Sequence, residues 1–262
     1  MARIPLYQLD AFTDRLFGGN PAAVMLLEAF PADAVLHALA AENNLAETAF
    51  LVQDGDGWRL RWFTPKVEVP LCGHATLASA TVVMERLQPG LDQVVFQSAS
   101  GPLTARRLGD GYELDFPARP SERVAVPMGL GKALGAEPAE VWLNAFNYMA
   151  VFEAAGTVRA LRPDMAAIAA FDRPGVIATA PGEGGHDMLS RYFAPAKGIP
   201  EDPVTGAAHC MLAPYWAARL GKGVLRGFQA SERGGEVVCR LEGERVRLQG
   251  RCVFYLEGWV VL

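Results

Sequence analysis

The sequence predicts an α+β protein built from two similar halves, each a curved sheet wrapped around a buried helix. Three observations predict it. A motif recurs half a chain apart: Arg61-Trp62-Phe63-Thr64-Pro65 returns as Arg191-Tyr192-Phe193-Ala194-Pro195. Each copy then passes through a short loop to a small glycine turn, Gly73-His74-Ala75 and Gly206-Ala207-Ala208. Each turn opens an apolar helix that ends in Arg-Leu, and strand-like runs flank both helices. An offset of about 130 residues is a domain duplication, because solenoid units are only about 20–50 residues long.

In order along the chain, Ile4–Phe12 reads as a strand and Gly18–Pro21 as turn chemistry. Ala22–Leu27 reads as a second strand. Pro31–Glu42 has helical spacing at Val35, Leu39 and Ala40, with Asp33 early. Thr48–Val52 and Trp58–Phe63 alternate as strands do. Ala75–Met84 carries no charge on any face, and a helix apolar all round is a buried one. Gln93–Gln97, Leu103–Arg107 and Tyr112–Phe116 follow as strands, and Pro117–Pro120 reads as a linker. In the second half, the helix over Ala207–Leu220 holds Pro214, which should kink it. Short strands close the chain: Glu236–Leu241, Arg245–Leu248, Cys252–Leu256 and Trp259–Leu262. The expected division is 1–117, then 118–250, with the C-terminal strand of about 251–262 pairing with the first half and an active site in a cleft between halves.

Composition narrows the function. A net charge of −5 argues against a nucleic-acid partner, whose binding domains concentrate basic charge. The longest uncharged stretch of note, Leu71–Met84, is too short to span a bilayer, so no membrane partner is expected. The opening MARIPLYQLDAF has no run like a signal core. Cys72, Cys210, Cys239 and Cys252 form no CxxC pair. A cytoplasmic location with reduced thiols is therefore expected. No metal site is expected either, since His209-Cys210 is adjacent rather than at ligand spacing. Gly129–Gly135 is neither a dinucleotide fingerprint nor a P-loop.

The runs GGNPAAV, NNLAETAF, RWFTPKVEVPLCGHATLA, YELDFPA, RYFAP and EDPVTGAAH, in that order and at natural spacing, resemble the phenazine-biosynthesis PhzF-like isomerase family. The set covers nearly the whole chain, and LCGHATLA with EDPVTG is its most specific part. The resemblance implies a diaminopimelate epimerase-like fold, each half a barrel-like, mostly antiparallel sheet around a central helix. It also implies a homodimer, no cofactor, and proton transfer within a small carboxylated substrate. The best-known activity of the family isomerises a dihydro-hydroxyanthranilate ring. By position, the resemblance places the catalytic glutamate on Glu47, the GHAT histidine on His74 and the EDPxTG aspartate on Asp202. The family often has serine where this chain has Ala207, which leaves the backbone N–H but removes a hydroxyl.

Each residue also has a plainer reading. A lone glutamate is usually an exposed one. Between a helix and an apolar strand, Glu47 is instead expected to be partly buried, a setting that suits proton transfer from carbon. His74, at a helix start, is expected to be neutral because the dipole there disfavours the imidazolium. Asp202 could hold a substrate amine or hydroxyl, pair with His74, or shape its loop as an Asx-type turn. Thr205 reads as an N-cap, and Asn20 as a turn residue, with substrate binding the sharper alternative. Gly73, Gly206 and Ala207 offer helix-start N–H groups to a substrate carboxylate. Cys72 matches the first thiol of two-base epimerases, but its counterpart is taken to be Ala207, so the second base is missing. Arg61 and Arg191 read as structural ion pairs. Two other functions stay open: a two-base racemase or epimerase, and a non-catalytic small-molecule-binding protein.

Overall fold

A computed structural model describes residues 3–262. The chain divides into two compact units: residues up to Phe116 together with Leu248–Leu262, and Pro117–Arg247. No helix among the described residues is long and apolar enough to cross a membrane.

In the first unit the strands are β1 (Arg3–Ala11), β2 (Asn20–Leu27), β3 (Glu47–Asp54), β4 (Gly57–Phe63), β5 (Glu68–Val69), β6 (Gln93–Ser98), β7 (Gly101–Leu108) and β8 (Gly111–Pro117). Helix α1 (Asp33–Asn43) joins β2 to β3, and α2 (Gly73–Val82) follows β5. A π turn over Val83–Leu87 extends α2. β1 pairs antiparallel with β2, and β2 parallel with β3. β3 and β4 are antiparallel; β4 takes β5 antiparallel and β6 parallel. β6–β7 and β7–β8 are antiparallel. The C-terminal strand Cys252–Val261 closes on β1. It is one continuous strand, not the two short ones expected, because Gly258 pairs with Leu6 within the ladder instead of breaking it.

Every residue of α2 is buried, as its lack of charge requires. It touches β1, β2, β3, β7 and the C-terminal strand, so the sheet curls around it. Its hydroxyls cost little there because each bonds back along the helix: Thr76 to Cys72 O, Ser79 to Ala75 O and Thr81 to Leu77 O.

The second unit repeats this pairing scheme. Its elements are β9 (Glu122–Val124), α3 (Leu130–Leu134), β10 (Glu140–Leu143), β11 (Asn147–Val151), α4 (Ala155–Ala160), α5 (Met165–Ala169), β12 (Gly175–Pro181), β13 (Met188–Ala194), β14 (Ile199–Glu201), α6 (Gly206–Leu220), β15 (Val224–Gln229) and β16 (Gly235–Glu242), and β17 (Arg245–Gly250) begins in it and ends in the first unit. β10–β11 is antiparallel, β11–β12 parallel and β12–β13 antiparallel. β13 then takes β14 antiparallel and β15 parallel, and β15–β16 is antiparallel. β9 pairs with β10 as the C-terminal strand pairs with β1. A strand at the start of one unit thus does what the end of the chain does for the other.

Pro214 lies inside α6, which runs on to Leu220 as one helix. Proline has no N–H for the carbonyl four residues back, here Cys210. Arg119 N–H of the linker donates to that oxygen at 2.9 Å, so the helix passes the proline with no carbonyl orphaned at that point. The Gly129–Gly135 stretch is simply α3 between two left-handed glycines.

Both arginines of the repeated motif are structural, as expected. Arg61 grips Glu68 in a two-point fork at 2.8 and 2.7 Å, and Arg191 grips Glu201 at 2.7 and 2.8 Å. Each glutamate stands five residues before its glycine turn. The fork therefore fixes the short hairpin that delivers the chain to α2 or α6.

Candidate active site

Three first-unit residues of interest open regular elements. Asn20 begins β2, Glu47 begins β3 and His74 is the second residue of α2. β2 and β3 run parallel with Ala22 opposite Glu47, so their starting ends lie together. The approach to β2 is tightly turned. Phe12 and Phe17 both adopt left-handed backbone angles. Asp10 accepts from Phe17 N–H at 2.8 Å. Gly19 has φ +60°, and a Cβ there would stand 2.1 Å from Ala11 O, so only glycine fits beside Asn20.

The structure brings Asn20, Glu47 and His74 together. All three are buried. Asn20 Nδ2 donates to His74 Nδ1 at 3.1 Å, which leaves the neutral ring its hydrogen on Nε2. That nitrogen lies 3.2 Å from Glu47 Oε2, close but not aligned as a hydrogen bond. Burial holds the His74 imidazole down at about 3, against the smaller opposing pull of the Pro21 carbonyl. The ring is neutral, as expected at a helix start, but desolvation rather than the dipole is the main cause. Cys72, the N-cap residue of α2, places Sγ 3.5 Å from His74 Nδ1. Asn20 thus touches the histidine, a role its turn-like sequence context gave no sign of.

Asp202 belongs to the other unit, in the loop before α6. It accepts from the Thr205 hydroxyl at 2.5 Å. Thr205 stands at the N-cap of α6, but its side chain makes no capping bond; it is turned to Asp202 instead. Gln229, fully buried at the end of β15, straps the same loop. Its Oε1 accepts from Thr205 N–H at 2.9 Å and its Nε2 donates to Asp202 O at 2.7 Å. Gln229 carries no motif; its place on the inward-facing alternation of Val224–Gln229 is the only trace the sequence offers. Gly206 and Ala207 open α6.

The duplicated framework corrects one sequence pairing. Helices α2 and α6 begin at Gly73 and Gly206. Cys72 therefore corresponds to Thr205, and His74 to Ala207. Strand register extends the comparison: Thr48 faces Phe63 and Val176 faces Phe193, so Glu47 corresponds to Gly175. A Cβ at Gly175 would meet Asn147 Oδ1 and the Tyr192 hydroxyl, each at 2.3 Å. The carboxylate, thiol and imidazole of the first unit have no equivalent at these positions of the second.

His209, on α6, is the other fully buried histidine. Its Nδ1 bonds Thr205 O at 2.8 Å, and burial holds its ring down at about 4. Both histidines thus have folded pKa values below the ordinary 6.5. Their stabilising effect is complete above that value and is lost as pH falls towards the folded values. Urea unfolding should therefore cost about 2 kcal/mol less per histidine at about pH 5 than at neutral pH. His209→Gln should remove about half of that pH dependence.

A family profile described as phenazine biosynthesis-like protein matches residues 9–258. The chain belongs to this family. Among its relatives in the family is an uncharacterized isomerase of Pseudomonas aeruginosa, 48% identical, with 99% of both chains covered. The phenazine biosynthesis-like domain-containing protein of Rattus norvegicus is 37% identical, with 98% of each chain covered. The crystal structure of a PhzF-family phenazine biosynthesis protein from Enterococcus faecalis superposes with TM-score 0.96 at 41% identity over 100% of both chains. A probable proline racemase from Agrobacterium radiobacter shares the fold alone, at TM-score 0.66 and 12% identity, with 99% of this chain and 92% of that one covered. By kinship the phenazine biosynthesis-like chain stands among isomerases.

Proposed function

We propose that this protein is a cofactor-independent isomerase that moves a proton within a small carboxylated, cyclic and unsaturated metabolite. Glu47 takes the proton from one carbon and returns it at another. The observation that carries this reading is the buried Glu47 carboxylate set 3.2 Å from a neutral imidazole. A carboxylate so placed has a polar neighbour that carries no opposing full charge, so His74 can orient it without neutralising it. The first N–H groups of α2, at Gly73 and His74, have no partner within the helix and suit a substrate carboxylate. Asp202, Gly206, Ala207 and Asn20 keep the supporting roles that the family resemblance gives them.

A two-base racemase is disfavoured by the framework comparison, since Thr205 stands where a second thiol would. The exposed aromatics Phe17, Tyr255 and Trp259 support the homodimer reading. Four cysteines outside any disulfide, three of them buried, accord with a reducing, cytoplasmic setting.

The test is deuterium uptake followed by NMR. The protein is incubated in deuterium oxide with cyclic amino and hydroxy acids, dihydro-hydroxyanthranilate among them. Exchange or isomerisation that needs Glu47 is the expected result. Exchange that survives Glu47→Gln but is lost in Cys72→Ala would replace this reading with the epimerase one.

A further inference from the structure

Three different donor types meet in the first unit. Cys72 comes from the N-cap of α2, His74 from its first turn and Glu47 from the start of β3. One donor atom of each lies within 4.8 Å of the other two, and all three residues are buried. The sequence hides this, because Cys-x-His is no ligand signature and Glu47 lies far upstream.

We propose that Glu47, Cys72 and His74 form a binding site for a borderline-soft divalent cation, Zn²⁺ foremost, and that the occupied protein is inactive. The binding claim stands on its own; the inactivity rests on Glu47 being the proton-transfer group.

The donor set fits. Thiolate, imidazole and carboxylate are the three side-chain ligands zinc uses, and three protein ligands leave a fourth position for water or an anion. Zn–N and Zn–O bonds of about 2.0–2.1 Å put two such donors about 3.3 Å apart around a tetrahedral ion. Glu47 Oε2 and His74 Nε2 already stand 3.2 Å apart. Cys72 Sγ lies 3.5 Å from the ring's other nitrogen, Nδ1, within a cluster whose donor atoms lie within 4.8 Å of one another, so the thiol turns towards Nε2 to share an ion with it and Glu47. With an ion on Nε2 the ring carries its hydrogen on Nδ1, and the Asn20 amide, now 3.1 Å from Nδ1, turns its oxygen to accept it. A buried amide in that place is the kind of partner that orients a ligating histidine. The thiol proton leaves to solvent when the ion binds. The second unit offers no such set, with Gly175, Thr205 and Ala207 at the equivalent positions, so one ion per chain is expected from this site.

Binding ties up the Glu47 carboxylate and fills the space beside it. Zinc would thus hold the enzyme off, and a chelator would release it.

Cobalt(II) reports the ligands directly. The reduced, chelator-treated full chain is titrated with Co²⁺ alone and followed by absorption. One equivalent should produce a thiolate-to-cobalt charge-transfer band and the strong visible bands of a four-coordinate ion, both erased by Zn²⁺. Cys72→Ser should lose the charge-transfer band and bind at least about tenfold more weakly. Glu47→Gln should weaken binding but keep the band. A spectrum without the thiolate band, or one unchanged in Cys72→Ser, would overturn the site. Should Cys72→Ser fail to fold, cadmium NMR of the parent chain decides, through the strongly deshielded signal of a thiolate-bound ion or its absence. None of this needs a substrate, so a failed isomerase assay leaves it standing. Where proton exchange is found, one equivalent of Zn²⁺ should abolish it and a chelator restore it. Exchange that persists at saturating zinc would overturn the inactive state.

Discussion

Glu47→Gln should fold like the parent and lose proton transfer by about 10²–10⁴-fold, the usual worth of a placed general acid–base. The amide has nearly the shape of the carboxylate, so the pairing of Ala22 with position 47 and the closure over His74 survive. What disappears is a group able to hold the abstracted proton. The loss should fall on the chemical step, lowering kcat with KM little changed, because the proton is held only between the two carbon-transfer events. His74 constrains the pH profile. Its ring is held at about 3, so it stays neutral through the working range and contributes no limb to the rate profile near neutrality. Exchange kinetics of parent and variant, beside circular dichroism of both, decide the matter.

Much of the architecture was legible because the chain wrote it twice. The Arg–aromatic–Phe–small–Pro motif marks β4 and β13, the strands to which the most partners attach. The arginine in each copy is there to grip Glu68 or Glu201 and so to aim a helix. A motif that sets local geometry must keep its spacing, and spacing is what a sequence displays. The all-apolar stretch before Met84 likewise announced a buried helix, since no partner for a charge exists in such a place.

The rest depended on contacts distant in sequence. Asn20 looks like turn chemistry until the fold brings it to His74, 54 residues away. The release of Cys210 O by Pro214 could be foreseen; its rescue by Arg119 could not, because the donor lies in a linker with no pattern. The Cys72 counterpart was misjudged for a related reason. The loop between motif and helix is three residues longer in the second copy, so only the helix starts, at Gly73 and Gly206, set Thr205 opposite Cys72. The clustering of Glu47, Cys72 and His74 is equally a product of folding, since two elements must meet before three ligand types share one spot.

Gln229→Leu should cost about 2–5 kcal/mol, because two backbone groups lose their buried partners at once. Thr205 N–H and Asp202 O are both satisfied by this one amide, and leucine matches its bulk without matching either bond. In a chain of 262 residues that is a drop of about 5–15 °C in Tm, measurable by calorimetry. Gln229→Glu separates the bonds from the packing. An ionised glutamate still accepts from Thr205 N–H but cannot donate to Asp202 O, and its charge is buried; once protonated it can do both. Its stability relative to the parent should therefore recover as pH falls, the opposite of the trend set by the two buried histidines. The first unit handles the same position differently. Strand register makes Ser98 the equivalent of Gln229, and Ser98 turns to Gly101 O, while Ser100 bonds Pro70 O before α2. Ser98→Ala should accordingly cost under about 1 kcal/mol. The strap is therefore particular to the loop that carries Asp202. The duplicated fold has held one helix start with a buried amide and left the other, beside Glu47, to a network that includes the reactive groups themselves.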